Sequence, residues 1–292
     1  MNIGYFYALL TILLFGSWAV PTKTLKIEPK VLAFFLTIGM LITGVGIFIA
    51  TGRQVAPINL LALPFAAGIL WSVGITLGFI GIRELGITRA LGIWIPVNII
   101  VGSLWGLIYF QEAKKLPADK LGLSIFGITL LVFAALTIIS SIKTQKVTGN
   151  TKLGVLCSIG LGLLHGSVLV PLNASNLPFS VTLLPFSIGM IAFTSILVFV
   201  NKLNLKYDIR SIGRMVLAGL ILGTGNLTAL LTIKSLGYAN GFALTQLAII
   251  INTLWGIIVF KEVASARGKI LIILGITIAL IGAVILNSAR VV

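Results

Sequence analysis

The sequence predicts an all-α membrane protein that crosses the bilayer many times and is built from two copies of one five-helix unit. Apolar residues make up 58% of the 292 residues and charged residues only 9%, whereas a typical soluble domain carries about 25% charged residues. The apolar residues fall in runs of membrane-spanning length. Short motifs of the first half return in the second half 150 positions later.

Ten apolar runs are long enough to cross the bilayer as helices, since a helix needs about 20 such residues to span the hydrocarbon. They lack the alternating pattern of a transmembrane strand. The loops between them are short, so consecutive helices are predicted to be antiparallel. The predicted spans are 3–22, 31–52, 60–82, 90–111, 121–142, 153–173, 178–200, 213–234, 238–260 and 270–289.

Repeated motifs indicate an internal duplication. "GSWAVP" at 16–21 matches "GSVLVP" at 166–171 in four of six positions, and "WGLIYFQE" at 105–112 matches "WGIIVFKE" at 255–262. The order of the motifs is kept and the spacing is constant, which indicates two halves, 1–146 and 147–292. Because each half has five spans, an odd number, the second half enters the membrane from the opposite side. This inverted repeat is typical of secondary transporters.

The first repeated motif places a proline four residues after a serine in each half. Pro21 and Pro171 have no N–H group, so the carbonyls of Ser17 and Ser167 lose their helical partners. Open backbone at membrane depth must face protein or a water-filled cavity. Two interpretations stay open: a kink covered by a neighbouring helix, or a cavity in which the serines contact substrate and the prolines serve gating.

The net charge of +15 arises from basic residues that stand in small groups between the apolar runs. We therefore expect membrane-flanking charges and no nucleic-acid surface. Fifteen of the 21 basic residues fall in, or within two residues of, the loops after spans 1, 3, 5, 7 and 9. The positive-inside rule places these loops in the cytoplasm and both termini outside. We expect an integral protein of the cytoplasmic membrane.

The composition disfavours catalytic chemistry. The chain has one cysteine and one histidine, Cys157 and His165, and no carboxylate deep in any predicted span. An enzyme needs converging nucleophile, base or metal groups, and a nucleotide-driven pump needs a phosphate-binding loop, which is missing from the sequence. We therefore expect no enzyme, no metal site and no cofactor. No obligatory protein partner is evident either.

Beyond the repeats, the sequence resembles the drug/metabolite transporter superfamily. The resemblance lies in the ten spans, in "FGSWAVP", and in the segments "GIRELGITRALGIWIPVNIIVGSLWGLIYFQE" and "GNLTALLTIKSLGYANGFALTQLAIIINTLWGIIVFKE". It is strongest toward the glucose/ribose porter branch, close to the rhamnose–proton symporters. It implies a secondary transporter that moves a sugar by alternating access, with proton coupling as an option. The superfamily also contains amino-acid and drug exporters, so such an exporter is the alternative.

The resemblance also implies a role for two glutamates that close spans four and nine. Glu112 and Glu262 each close a "WGxxxFxE" pattern, and the resemblance implies a structural or gating role for both. Each also stands beside lysines, so an ordinary surface ion pair is the competing interpretation.

Polar residues at membrane depth are the candidates for a substrate site, because they are costly there. The lack of a deep carboxylate argues against a cationic substrate. Amides can donate to and accept from sugar hydroxyls, and Trp94, Asn98 and Trp105 share one helical face. The alternative for each amide is a hydrogen bond between helices. The predicted substrate-binding residues are Trp94, Asn98, His165, Asn226, Gln246, Asn252, Ser17 and Ser167.

His165 is the candidate for coupling transport to protons. Histidine is the side chain that titrates near physiological pH, and His165 directly precedes the repeated Gly166-Ser167 pair. The first half has Phe15 at the equivalent position, so the symmetry is broken there. The alternative is a neutral histidine held by a neighbouring helix, in a facilitator that couples to nothing.

Overall fold

The structure, a computed structural model, is a bundle of helices. It describes residues 3–109, 117–142, 149–236, 244–245 and 247–289. Over these residues it contains no β-strand, as the sequence predicts. The helices are α1 (Ile3–Ser17), α2 (Pro29–Ala50), α3 (Ile58–Leu85), α4 (Ile87–Leu104), α5 (Ala118–Ile142), α6 (Thr151–Ser167), α7 (Leu169–Ala174), α8 (Phe179–Val200), α9 (Ile209–Leu236), α10 (Ala248–Leu254) and α11 (Ala266–Ser288).

Within the described ranges, nine helical segments are long and apolar enough to cross a membrane. They correspond to nine of the ten predicted spans. The remaining span, predicted at 238–260, is described in part and contains the shorter apolar helix Ala248–Val259. The chain is therefore a polytopic α-helical membrane protein.

Both prolines of the repeated motif stand just after a helix break. α1 ends at Ser17 and is followed by a 3₁₀ turn, Val20–Thr22, that contains Pro21. α6 ends at Ser167, and the chain turns at Val168 before α7 begins. Proline removes the N–H that the serine carbonyl would accept from, so the two helices end at equivalent residues.

A second local feature also occurs in both halves. α4 continues as a π-helix from Trp105 to Tyr109, and α10 continues as one from Trp255 to Val259. Each π-helix begins at the tryptophan of the repeated "WG" motif. Such π turns are rare and often mark functional sites, because they displace side chains from the regular helical positions.

The helices of the two halves are interleaved. α3 packs against α6 and α8, while α9 packs against α1 and α2. α5 and α11 pack extensively against each other. α4 packs against α6, and the corresponding helix of the second half, α10, packs against α1. At the α2/α9 and α3/α8 crossings the backbones touch: a Cβ added to Gly39 or Gly189 would overlap the carbonyl of Val216 or Phe65. Small residues allow such close approach in lipid.

One end of the bundle gathers the described parts of the loops that follow spans 1, 3, 5, 7 and 9; Asn150 N donates to Glu84 Oε2 at 2.7 Å, and Lys23 pairs with Glu262 at 2.6 Å. We call this end the basic face and the opposite end the far face. Contacts between residues distant in sequence show that these loops lie together: Arg83–Glu28 at 3.8 Å, Lys30 Nζ to Asn201 Oδ1 at 2.7 Å, and Arg214 Nε to the Pro21 carbonyl at 2.7 Å.

Candidate functional site

A buried aromatic cluster lies where the end of α1 meets α3 and α4. The rings of Trp18 and Phe79 meet edge to face at 5.7 Å, and those of Trp18 and Trp94 lie 6.4 Å apart. Each of the three side chains is more than nine-tenths buried. The predicted site residue Trp94 is therefore part of a larger aromatic surface between helices.

His165 of α6 lies against α3. Its Nε2 is 2.9 Å from the carbonyl oxygen of Trp71, and its ring stacks on the Trp71 indole with centroids 4.9 Å apart. Gly74 makes room for the imidazole, since a Cβ there would lie 2.5 Å from His165 Cδ2. The imidazole thus has a partner on a neighbouring helix.

The glycines of α3 connect this pair to the aromatic cluster. Leu161 lies one turn before His165 and contacts both Gly74 and Gly78, and Gly78 in turn faces the Trp94 ring. The rings of Trp71, His165 and Trp94 consequently follow one face of α3. Both indoles are buried, with Trp71 9% and Trp94 8% exposed.

Asn98 joins this region from α4. Its backbone carbonyl packs on Gly166, where an added Cβ would lie 2.8 Å from the oxygen, and Gly166 is the residue after His165. Its side chain is half-buried. The structure therefore places the Asn98 backbone at the crossing of α4 and α6, in contact with the residue that follows His165, while the His165 ring itself faces α3.

The remaining predicted amides lie in other parts of the bundle. Asn226 is half-buried on α9, next to Gly225, which packs on Phe15 of α1. Asn252 is 2% exposed on α10, and its Oδ1 has no hydrogen-bond partner within the described part of the chain. Gln246 and Glu112 lie outside the described residues. No contact among the described residues joins Asn226 or Asn252 directly to the aromatic cluster.

Both predicted serines accept a hydrogen bond from an indole of the other half. Trp105 Nε1 donates to Ser167 Oγ at 2.8 Å, and Trp255 Nε1 donates to Ser17 Oγ at 2.9 Å. Ser167 also donates to the Leu163 carbonyl. Trp105, predicted to share one helical face with Trp94, is thus hydrogen-bonded to the last residue of α6.

Glu262 binds partners that are remote in sequence. Its Oε1 lies 2.6 Å from Lys23 Nζ, and its two oxygens accept backbone hydrogen bonds of 2.9 Å from Ile87 and Thr88. The ion pair thus forms with Lys23, across the two halves. A carboxylate at a helix N-terminus is stabilised by the free N–H groups and the helix dipole.

Several residues at these places are not among those predicted from the sequence to bind substrate. Trp18, Trp71 and Phe79 carried no polar signal, although the glycines at 74, 78 and 81 in "GITLGFIG" mark the α3 face on which other side chains pack. Arg89 also went unnoticed. It is 2% exposed, two of its guanidinium nitrogens find no hydrogen-bond partner among the residues that the structure describes, and Glu262 is its charged neighbour.

Comparison with known proteins shows which proteins the chain is similar to. A family model described as "sugar transport protein" matches residues 6–289. The chain is 30% identical over 286 residues to the glucose uptake protein GlcU of Bacillus subtilis (strain 168), which covers 97% of each chain. It is 29% identical over 287 residues to the "Probable glucose uptake protein GlcU" of Priestia megaterium, covering 98% of this chain and 99% of that protein.

A solved crystal structure shares the fold. It matches with a TM-score of 0.56 at 16% sequence identity, over 94% of this chain and 96% of the other. At this identity the likeness concerns the path of the helices alone.

Proposed function

Because the chain belongs to the sugar transport protein family, whose relatives are named as transport proteins and not enzymes, we propose that it takes up a neutral monosaccharide, glucose or a close analogue, by alternating access. The sugar class follows from the family, and the cytoplasmic membrane is where the spans place the protein. Uptake and glucose are suggested by the names of the relatives. Within the drug/metabolite transporter superfamily, the glucose/ribose porter branch is the proposed kinship.

The observation that best supports alternating access is a pair of indole–serine hydrogen bonds, each of which joins one half to the other. Trp105 pairs with Ser167, and Trp255 pairs with Ser17. Adding 150 to the number of the first-half residue and subtracting 150 from that of the second-half residue converts one pair into the other. Such reciprocal bonds are expected from a two-fold axis that relates 1–146 to 147–292, and they support that division of the chain.

The directions of the helices support an inverted relation. α4 and α6 begin at the basic face, so Trp105 and Ser167 lie toward the far face. α1 ends at the basic face and the α10 segment runs toward it, so Trp255 and Ser17 lie toward the basic face. Each face thus has one indole–serine bond, which suits a transporter that opens one face at a time.

The proposed substrate site lies near the crossing of α4 and α6 and comprises Trp94, Asn98 and His165. Aromatic rings there would cover the apolar face of a sugar, and amides would bond its hydroxyls. No carboxylate is among the described residues of this cluster, which suits a neutral solute. We extend the site to Asn226 on α9, to Asn252 on α10, and to Gln246, which lies outside the described residues.

For energy coupling, His165 allows two mechanisms. In a proton symporter its imidazole would change charge during the cycle. In a facilitator it would be a neutral residue that joins α6 to α3. The 2.9 Å contact with the Trp71 carbonyl and the stacked Trp71 ring favour the second mechanism. The prolines at 21 and 171, beside the helix breaks, are the proposed hinges, and Glu112 and Glu262 the proposed gating groups.

Counterflow in proteoliposomes tests the proposal. Vesicles loaded with unlabelled glucose should accumulate labelled glucose transiently, and external monosaccharides should compete while amino acids and organic cations should not. Trp94→Ala should abolish the exchange. Phe133→Ala, at a side chain 61% exposed on the outer surface of α5, should leave it unchanged. Exchange of an amino acid or a drug with no exchange of any sugar would replace sugar uptake with the exporter alternative.

A further inference from the structure

We propose that the binding site of the Glu262 carboxylate is the gate of the transport path at the basic face, and that the structure is the state closed at that face. We call this site the Glu262 seat and define it as Lys23, Gly86, Ile87, Thr88, Gly256 and Glu262. The inference rests on the proposed transport by alternating access, but its test does not require the sugar to be known.

The seat holds together three segments of the bundle. Glu262 follows α10, Lys23 follows α1, and Ile87 and Thr88 form the N-terminus of α4. One carboxylate joins all three through contacts of 2.6, 2.9 and 2.9 Å. Charge-assisted hydrogen bonds of this kind are the strong ones. Because Glu262 belongs to the second half and its partners to the first, the halves cannot separate at this face while the seat is filled.

Two glycines shape the seat around the carboxylate. Gly86 has a φ of +88°, and a Cβ there would lie 2.8 Å from Glu262 Oε2. A Cβ on Gly256 would overlap the Thr88 hydroxyl and lie 3.1 Å from the same oxygen. A side chain at either position would displace the carboxylate, so the seat depends on both glycines. A surface ion pair needs no such accommodation.

In this ion pair both side chains are largely buried, whereas Arg83 is 48% exposed in each of the other two ion pairs of the described residues, those with Glu28 and Glu84. The Glu262 side chain is 9% exposed and Lys23 20%, whereas the Arg83–Glu28 pair, also at the basic face, is 48% and 42% exposed. Removing one partner of a desolvated pair is costly. The seat therefore favours the closed state far more than a solvated pair would.

The seat also lies next to the indole–serine bond of the same face. Gly256 follows Trp255, whose indole binds Ser17, and Lys23 stands six residues after Ser17. The two contacts therefore form consecutive layers between α1 and the α10 segment. Opening the path at this face requires both to break.

Thr88 provides the readout, because its backbone N–H binds the carboxylate, the residue is 1% exposed, and its hydroxyl has no hydrogen-bond partner among the described residues. Thr88→Cys, in a Cys157→Ser background, therefore sacrifices no bond. With the seat intact, the thiol should react slowly with a membrane-impermeant maleimide. Lys23→Met or Glu262→Gln should raise the labelling rate at least tenfold, with reagent applied from the basic face only.

The native cysteine is the matched control. Cys157 is 6% exposed on α6, so its labelling in the otherwise unchanged protein reports general loosening of the bundle. Lys23→Met should leave its rate unchanged. An unchanged rate at Thr88→Cys, or equal acceleration at Cys157, would overturn the gate.

Cross-linking then tests whether transport needs the seat to open. Lys23→Cys with Glu262→Cys, bridged by a bifunctional methanethiosulfonate reagent, should lose glucose counterflow and regain it after reduction. Arg83→Cys with Glu28→Cys, bridged in the same way within the first half, should keep it. Counterflow that persists through the first bridge would contradict the gate. If the bridged and unbridged proteins and their parent all fail to move any sugar, the proposed substrate is wrong, while the Thr88→Cys result still decides the gate.

Discussion

Trp105 donates an indole hydrogen bond of 2.8 Å to Ser167, and the same bond occurs once more between Trp255 and Ser17, at 2.9 Å. The donors begin the two π-helices, and the acceptors end α1 and α6. In each case a helix that stops at a serine, because a proline follows four residues later, offers its hydroxyl to a tryptophan of the other half. The sequence repeat and the hydrogen-bond pattern thus agree.

The two serines should have opposite effects on which face opens. Ser17→Ala removes the bond at the basic face and should favour the state open there, whereas Ser167→Ala should favour the state open at the far face. A hydrogen bond of this kind contributes about 0.5–1.5 kcal/mol, which corresponds to a change of about 2- to 13-fold in the ratio of the two states. The labelling rate of Thr88→Cys measures it: Ser17→Ala should raise the rate, and Ser167→Ala should lower it.

A change in the same direction for both serines would show that the bonds merely hold helices together. Thr137→Ala is a suitable control, because Thr137 bonds only within α5, to the Phe133 carbonyl. It should leave the labelling rate unchanged.

Asn98 should matter for transport more than for folding. Asn98→Ala leaves the α4/α6 crossing intact, because that contact is made by the Asn98 backbone carbonyl on Gly166. Losing an amide that bonds a sugar hydroxyl removes about 0.5–1.5 kcal/mol of binding free energy. The KM of uptake should therefore rise about 2- to 13-fold. The thermal midpoint should stay within about 2 °C. The exposed Asn204→Ala should change neither quantity, and a lower midpoint with an unchanged KM would assign Asn98 to packing.

The sequence predicted the local features and missed the long-range ones, for physical reasons. The spans follow from hydrophobic length, and the breaks at Ser17 and Ser167 follow from the missing N–H of proline. The partners of Glu262 could not be predicted, because Lys261 is its neighbour in sequence, while the N-terminus of α4 lies about 175 residues away. The Trp71–His165 stack likewise depends on how α3 meets α6, which no local pattern encodes.

The orientation of the protein is open to a direct measurement. The loops of the basic face are predicted to be cytoplasmic because 15 of the 21 basic residues lie in them or within two residues of them. Lys206 is exposed in the loop between α8 and α9. In a Cys157→Ser background, Lys206→Cys in intact cells should react with a membrane-permeant maleimide and not with an impermeant one. Rapid labelling by the impermeant reagent would place the basic face outside and invert the assignment of the gate.

His165 separates the two energy-coupling mechanisms. Its ring already has a partner in the Trp71 carbonyl at 2.9 Å and a stacked neighbour in the Trp71 indole, and it is packed on Gly74. A neutral imidazole can donate this hydrogen bond, so the contact between α6 and α3 does not require the ring to be protonated.

His165→Gln keeps an N–H donor for that carbonyl, so counterflow of the sugar should survive within about threefold of the parent, the range left by a hydrogen bond of slightly weaker geometry. Accumulation driven by an imposed pH gradient should be the same in His165→Gln and the parent.

If the parent accumulates sugar under the gradient and His165→Gln only exchanges it, the imidazole is the proton-coupling group and the symporter mechanism is correct. His165→Ala, which removes the donor, should lower the thermal midpoint in either case and thereby reports the structural contact separately from coupling.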